Sequence, residues 1–143
     1  MSFELPPDAR AFRDKVKSFV DSVLRPLEVE AEMNGGRISD ELRKKHERMA
    51  IALGLSRMDV PRDRGGPGLS VLAQVAATEA IGSVTNALGW CYAEAQNWMF
   101  EACNDDQVAR YVMPLTTGDI HLCYAITEEN AGSDPAAIEA TAL

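Results

Sequence analysis

The stretch HLCYAITEENAGSD, residues 121–134, divides the chain into two kinds of sequence pattern. Its first seven residues are apolar and rich in strand formers, and turn residues flank them, with Gly118 before and Asn130 after. This pattern predicts a buried strand or extended segment over residues 121–127, followed by a turn in AGSD. Because most of the chain before it has helical periodicity, the sequence predicts a mainly α fold, an N-terminal helical bundle that ends in the first strand of a β domain.

Upstream of that stretch, apolar residues recur at intervals of three and four, the spacing that places them on one face of a helix. Pro7 makes a suitable first helical residue, and Pro26 should kink or end the helix because it lacks a backbone N–H. The apolar face of this first helix is predicted to contain Phe12, Val16, Phe19, Val20, Val23 and Leu27.

Later helices have recognisable starts and ends. Ser39 and Ser70 are suitable N-caps, and Gly54 suits the C-terminal end of the helix that Ser39 begins. Asn104 with Gln107 three residues later resembles a capping box. Between these signals, VPRDRGGPG at residues 60–68 predicts a loop, because glycine and proline are too frequent there for regular structure.

Residues 90–102 are rich in alanine and aromatic side chains and predict a buried helix. The three cysteines are Cys91, Cys103 and Cys123, and because each has apolar neighbours in sequence we expect all three to be buried. The histidines, His46 and His121, lack neighbours at metal-ligand spacing, so we expect surface or hydrogen-bonded side chains rather than ligands.

Composition narrows the class of protein. The net charge is −8 and the pI is about 4.7, which disfavours nucleic acid and anionic lipid as partners. No apolar stretch is long enough to span a membrane, and the N-terminus lacks the pattern of a signal peptide. The cysteines lack the spacing of a disulfide framework or a zinc site. These features together predict a cytoplasmic protein without a metal site.

The polar end of the stretch suggests a ligand site. Thr127, Ser133 and several backbone N–H groups at the mouth of a strand could hydrogen-bond a flat ring such as an isoalloxazine. Glu128 and Glu129 are adjacent, so in an extended segment they point to opposite sides and do not form an acid/base pair.

The sequence YAITEENAGSD, residues 124–134, resembles the signature of the acyl-CoA dehydrogenase family, in which a strand runs into Thr-Glu-Pro and then Ala-Gly-Ser-Asp. The proline of that signature is replaced by Glu129 in this chain. Four other stretches resemble family segments in the same order: ALGLSRMDVPRDRGGPGLS at 52–70, TEAIG at 78–82, DDQVARYVMPLTTGD at 105–119 and IEATA at 138–142.

This resemblance implies an N-terminal α-helical domain over residues 1–120 and the incomplete start of a middle β domain over residues 121–143. It implies FAD as cofactor and an acyl-CoA thioester as substrate in lipid metabolism, with hydride passing to flavin N5. The complete enzyme would be a homo-oligomer, and its β domain and C-terminal helical domain would be missing partners of this piece. The residues that the resemblance assigns to the cofactor are Tyr124, Ala125, Ile126, Thr127, Gly132 and Ser133.

The resemblance assigns substrate contact to Ser133 as well, and assigns no catalytic residue, because the glutamate that takes the α-proton comes from the C-terminal domain. We therefore expect the 143 residues alone to lack dehydrogenase activity. Two alternatives stay open: a fragment of a related acyl-CoA oxidase or flavin monooxygenase, or a non-catalytic helical module that binds a partner chain.

Overall fold

The computed structural model describes residues 4–141. Helices account for 61% of the structure. Within the described residues the α-helices are α1 (Pro7–Phe19), α2 (Glu28–Met33), α3 (Asp40–Leu53), α4 (Val71–Ile81), α5 (Asn86–Gly89), α6 (Asn97–Ala102), α7 (Asp105–Gln107) and α8 (Met113–Thr117). Short 3₁₀ turns occur at Leu55–Arg57, Arg62–Arg64 and Pro135–Ala137. No helix among these residues is long and apolar enough to cross a membrane.

The mainly α fold is therefore confirmed, whereas the predicted strand is not formed. Residues 121–127 have neither helix nor strand structure, and residues 4–141 contain no strand at all. A β-strand needs a neighbouring strand to accept and donate its ladder of hydrogen bonds. The helical body of this chain offers no such neighbour, so the strand-forming sequence stays unpaired.

Both prolines inside the helical path change its hydrogen bonding without ending it. Before Pro26 the chain of α1 widens into a π-helix at Val20–Leu24, tightens into a 3₁₀ turn at Arg25–Leu27, and continues as α2. Before Pro114, a π-helix at Val108–Val112 leads into α8 in the same way. A proline ring clashes with the carbonyl of residue i−4 and lacks an N–H, and a wider turn relieves both problems. The prediction of an interruption at Pro26 is thus correct, but the helix does not end there.

The core lies between α1 and α4, which pack against each other along their length. The predicted apolar face of the first helix is confirmed. Its buried members are Val16, Phe19 and Val20, and its partly buried members are Phe12, Val23 and Leu27. A second apolar cluster joins Val60 to α6, the π-helix before α8, and α8 itself.

The predicted helix ends agree with the structure. The hydroxyls of Ser39 and Ser70 accept hydrogen bonds from backbone N–H groups three residues later, at 3.2 and 3.3 Å. Gly54 ends α3 in the left-handed conformation, with φ of 91°. Asn104 and Gln107 form the expected reciprocal capping box. Each of these signals is local, because it depends on residues within one turn of the helix end.

The predicted helix over residues 90–102 is wrong in its first half. Only Asn97–Ala102 is helical, and Trp90 is 84% exposed. The backbone N–H of Ala95 donates to the carbonyl of Ser56 at 3.2 Å, and that of Asn97 donates to the Asp59 carboxylate at 2.7 Å. Because these donors bind another part of the chain, they are not available for an α-helical turn.

Two predictions about polar side chains are also wrong. His46 is buried, 1% exposed, and its Nδ1 has no hydrogen-bond partner among the described residues. Burial, aided by the positive charge of Lys45, lowers the pKa of the His46 imidazole. Cys123 is exposed, Cys103 is partly exposed, and of the three cysteines only Cys91 is buried. Burial raises the pKa of the Cys91 thiol to about 11.

Candidate functional site

We call residues 121–134 the signature segment. It leaves the helical body after Gly118, which is left-handed with φ of 78° and ends α8. Every residue of its first part, 121–127, is exposed, and the large apolar side chains among them are Leu122 at 55%, Tyr124 at 88% and Ile126 at 42% exposed. Among the described residues, no backbone hydrogen bond involves residues 121–127. The segment therefore presents apolar side chains and backbone N–H groups to the surface, not to the core of this chain.

The second half of the signature segment is a closed loop. The carbonyl of Glu128 accepts from the N–H of Ala131 at 3.2 Å, and the N–H of Glu128 donates back to the Ala131 carbonyl at 3.1 Å. The Glu128 carboxylate then accepts from the N–H groups of Glu139 and Ala140, at 2.9 and 3.0 Å. Glu128 thus joins the two ends of the loop, a role that no pattern in the sequence indicates.

The six residues assigned to the cofactor by resemblance lie in this one segment and are all exposed. Tyr124, Ala125, Ile126 and Thr127 are consecutive in the unpaired part. Gly132 and Ser133 lie in the loop that Glu128 closes. No other described element covers them, so the chain supplies one side of a site and not an enclosed pocket.

Gly132 provides a test of whether a ligand fits here. Its φ is not positive, and a Cβ built on it would meet no atom of the chain within 4 Å. Neither backbone conformation nor crowding within this chain therefore requires glycine at this position. Open space beside an exposed backbone is compatible with close approach of a planar ring, so the residues present fit a flavin on this face.

A cleft of about 490 Å³ borders the start of the signature segment. This volume lies within the range of about 300–1,000 Å³ that is usual for small-molecule sites. Leu122 lines the cleft together with Ile81 and Val84, which gives it an apolar wall. Residues 89–94 form another wall of the cleft. The sequence predicted these residues to belong to a buried helix, and so missed their place at the cleft.

The wall formed by residues 89–94 carries polar groups. Tyr92 and Glu94 are both half-buried. Burial is the main cause that raises the pKa of the Glu94 carboxyl, and the nearby carboxylate of Asp59 adds to it. Burial likewise raises the pKa of the Tyr92 hydroxyl above its ordinary value, with a further contribution from Glu94. At neutral pH the Tyr92 hydroxyl is therefore protonated and able to donate a hydrogen bond into its surroundings.

Two smaller depressions adjoin the cleft. One shares Glu47 and His121 with it and is lined by the basic side chains of Arg43, Lys44 and Arg48. The other shares Thr78, Glu94 and Gln96 with it and is lined by Asp59 and Glu79. Within residues 4–141, no group of three or more potential ligands among His, Cys, Asp and Glu comes together to hold a metal ion.

The helices pack together into a small helical domain. This domain carries the exposed first part of the signature segment beside the cleft. Residues 6–119 match the family described as acyl-CoA dehydrogenase, N-terminal domain. The chain belongs to this family.

Curated relatives extend the similarity over the whole chain. It is 26% identical to the probable acyl-CoA dehydrogenase YngJ of Bacillus subtilis, with 100% of this chain and 37% of that protein aligned. It is 28% identical to the mitochondrial short-chain specific acyl-CoA dehydrogenase of Sus scrofa, over 99% of this chain and 34% of that protein. An acryloyl-CoA reductase (NADH) of Anaerotignum propionicum is 25% identical, over 100% of this chain and 36% of that protein. The chain thus spans about a third of the length of these relatives. No solved structure matches it.

Proposed function

We propose that this chain supplies the helical part of the site of a flavin-dependent acyl-CoA dehydrogenase. The division we propose is a helical domain up to residue 120, followed by residues 121–143 as the incomplete start of a β domain. The observation that carries the proposal is the exposed backbone of Tyr124 to Thr127 beside a cleft that Leu122 lines. An exposed donor-rich edge next to a partly apolar cleft suits a flat ring and an acyl group that meet at one place.

In this proposal FAD is the cofactor, and when bound it accepts a hydride at N5 from the acyl β-carbon. The N–H groups of Ala125 to Thr127 and the Thr127 hydroxyl donate hydrogen bonds to the polar edge of the ring. Such donors stabilise negative charge that develops during reduction. Tyr124 and Ile126 contribute apolar contact with the ring, and Gly132 allows the backbone to approach it.

The acyl-CoA substrate has its own contacts in this proposal. Ser133 holds the thioester arm where it passes the ring, and the acyl group lies in the cleft against Leu122 and Ile81. We assign the α-proton to no base within residues 1–143, because the resemblance places that glutamate in the C-terminal domain and Glu128 is engaged in loop closure. The chain alone should therefore show no turnover with added FAD, since a positioned general base contributes about 10²–10⁴-fold by itself.

Binding without turnover provides the test. Hexanoyl-CoA and FAD are added to the ¹⁵N-labelled 143-residue chain, and backbone amide shifts are followed. We expect shifts at Leu122 to Thr127, at Ser133 and along the cleft. Because Cys123 is exposed within the signature segment, its reaction with a thiol reagent should also slow when the ligands are bound.

Single-residue variants test whether the ligands bind at the signature segment. Thr127→Val and Ser133→Ala each remove a hydroxyl of the signature segment and should weaken binding about three- to tenfold, the loss of one hydrogen bond. Ser22→Ala removes a hydroxyl that donates to a backbone carbonyl on α1, away from the cleft, and should leave affinity unchanged. Free CoA, which lacks the acyl group, should not shift the cleft residues. Shifts confined to other surfaces, or none at all, would contradict the proposal.

A further inference from the structure

Glu94 is a half-buried carboxyl on the wall of the cleft, and none of the hydrogen bonds or ion pairs among residues 4–141 involves it. Its neighbour Asp59 is different, because the Asp59 carboxylate accepts the N–H of Asn97 at 2.7 Å. A carboxyl group that is partly removed from water without a compensating hydrogen bond is unfavourable. Folding therefore leaves Glu94 with acceptor capacity that something outside the helical body could use.

The position of Glu94 within the cleft indicates what could reach it. Glu94, Thr78 and Gln96 also line the adjoining acidic depression, whereas His121 and Leu122 line the cleft but not that depression. Glu94 thus lies where the cleft meets the acidic depression, which the signature segment does not line. A group that enters beside the signature segment and extends across the cleft would bring its far end to Glu94.

The surroundings of Glu94 are polar in character. The charge of the Glu94 carboxylate helps to raise the pKa of the Tyr92 hydroxyl, and Asn86 and Gln96 line the same cleft. A plain alkyl chain lying here would cover these polar groups and satisfy none of them. An acyl chain with a donor at its far end would gain a hydrogen bond and leave the apolar part of the chain against Ile81 and Leu122.

We infer that Glu94 determines specificity, by favouring acyl groups that carry a hydrogen-bond donor, a hydroxyl or an ammonium, over plain alkyl acyl groups. This inference rests on the proposed function, in which the cleft takes the acyl group. A site that can hydrogen-bond a substituent disfavours the analogue that lacks it, because its polar group then stays unpaired. Since Glu94 is only half-buried, we expect a preference of about tenfold and not the much larger discrimination of a fully enclosed site.

Three probes test the inference on the 143-residue chain. Dissociation constants are measured at pH 7, from amide shifts of the cleft residues, for hexanoyl-CoA, 6-hydroxyhexanoyl-CoA and 6-aminohexanoyl-CoA. Wild type should bind the hydroxyl and amino forms about tenfold more tightly than hexanoyl-CoA. The CoA part is common to all three, so differences report the end of the acyl chain.

Substitutions at Glu94 separate its contributions. Glu94→Leu removes the acceptor, so it should abolish the preference and tighten hexanoyl-CoA. Glu94→Gln keeps an oxygen acceptor of the same size but removes the charge, so the hydroxyl preference should persist while the amino preference shrinks. The matched control is Glu79→Leu, which removes a carboxylate that lines the adjoining depression but not the cleft, and should leave the ratios unchanged. Circular dichroism checks that each variant folds, and the isosteric Glu94→Gln keeps the test decisive if Glu94→Leu does not.

The possible failures are distinguishable. If all three thioesters shift the cleft residues with equal affinity, and the Glu94 variants behave as wild type, the specificity role is wrong and the proposed function stands. If the amino form alone is preferred and Glu79→Leu removes that preference, the effect is general surface charge, and Glu94 has no special role. If none of the thioesters shifts the cleft residues, the proposed function fails and the inference fails with it.

Discussion

The imidazole Nδ1 of His121 lies 3.4 Å from the carboxylate Oε1 of Glu47. Glu47 belongs to α3 and its side chain is only 13% exposed, whereas His121 is the first residue of the signature segment. The left-handed turn at Gly118 brings the chain past this carboxylate, since a Cβ built at Gly118 would lie 3.4 Å from the same oxygen. The contact joins the exposed first part of the signature segment, residues 121–127, to the helical body at the edge of the cleft.

Removing this contact should loosen the signature segment without unfolding the protein. In His121→Ala we expect lower ¹⁵N order parameters for residues 122–126, because the start of the segment loses its side-chain anchor. The free energy of unfolding should change by less than about 1 kcal/mol, since the contact holds a half-exposed histidine side chain at the surface and buries little area. Arg110→Ala, which removes an exposed pair with Asp106 on another helix, is the control for the loss of a surface contact. Equal order parameters in both variants would show that His121 does not hold the segment.

The buried imidazole of His46 should make stability depend on pH. Because its folded-state pKa is lowered, the unfolded chain binds a proton more readily than the folded chain. The stabilisation is complete above the unfolded value of about 6.5 and is lost as the pH falls through that value toward the folded one. The slope contributed by this one group cannot exceed about 1.4 kcal/mol per pH unit.

Urea unfolding between pH 5 and pH 8 measures this dependence. His46→Leu removes the unpaired Nδ1 and keeps a side chain of similar size, so it should flatten the decline below pH 6.5 and cost little stability at pH 8. His121→Ala, at the exposed histidine, should leave the decline in place. An unchanged pH dependence in His46→Leu would assign the decline to other groups.

The helix ends of this protein could be read from its sequence, because Ser39, Ser70 and the Asn104–Gln107 pair act within a single turn. The sequence predictions that are wrong concern residues whose environment is set by parts of the chain far away in sequence. Trp90 is exposed because the N–H of Ala95 binds the carbonyl of Ser56, 39 residues away, and no local pattern encodes that bond. The burial of His46 likewise depends on how α3 packs, which a pattern of three and four residues does not specify.

The turn at residues 128–131 should tolerate proline where the family signature has it. Glu129 is exposed and follows Glu128, whose carbonyl accepts from Ala131, so Glu129 occupies the second position of the turn. Proline is favoured there because its fixed φ matches the turn. We expect Glu129→Pro to raise the free energy of unfolding by about 0.4–1 kcal/mol, through a less flexible unfolded chain.

A proline two positions later provides the control. The Ala131 N–H donates to Glu128, and Ala131 is 1% exposed, so Ala131→Pro removes a turn hydrogen bond and crowds a buried site. This variant should lower the urea midpoint, whereas Glu129→Pro should raise it. If both lower it, the backbone at Glu129 differs from the turn conformation that proline requires.

The candidate site was accessible to sequence reasoning only where residues are neighbours in the chain. The signature segment is continuous, so its residues could be named together from the resemblance. The cleft is assembled from α3, α4 and residues 89–94. Glu94 lines it because the Asp59 carboxylate accepts the N–H of Asn97 and so holds this part of the chain out of helical geometry. Assignments of this kind depend on tertiary structure, and no spacing in the sequence indicates them.

The exposed face of the signature segment should make the chain self-associate. Leu122, Tyr124 and Ile126 are large apolar side chains exposed within one short stretch, and their backbone groups lack partners among the described residues. Unpaired edges with apolar side chains favour pairing with another chain. Light scattering after size exclusion should show wild type as dimers or larger species, and Ile126→Lys should shift it toward monomer by placing a charge in that contact. Val29→Lys, at an exposed apolar residue of α2, is the matched control and should leave the distribution unchanged. A wild type that stays monomeric at every concentration, or equal effects of the two lysines, would show that the signature segment does not act as an interface.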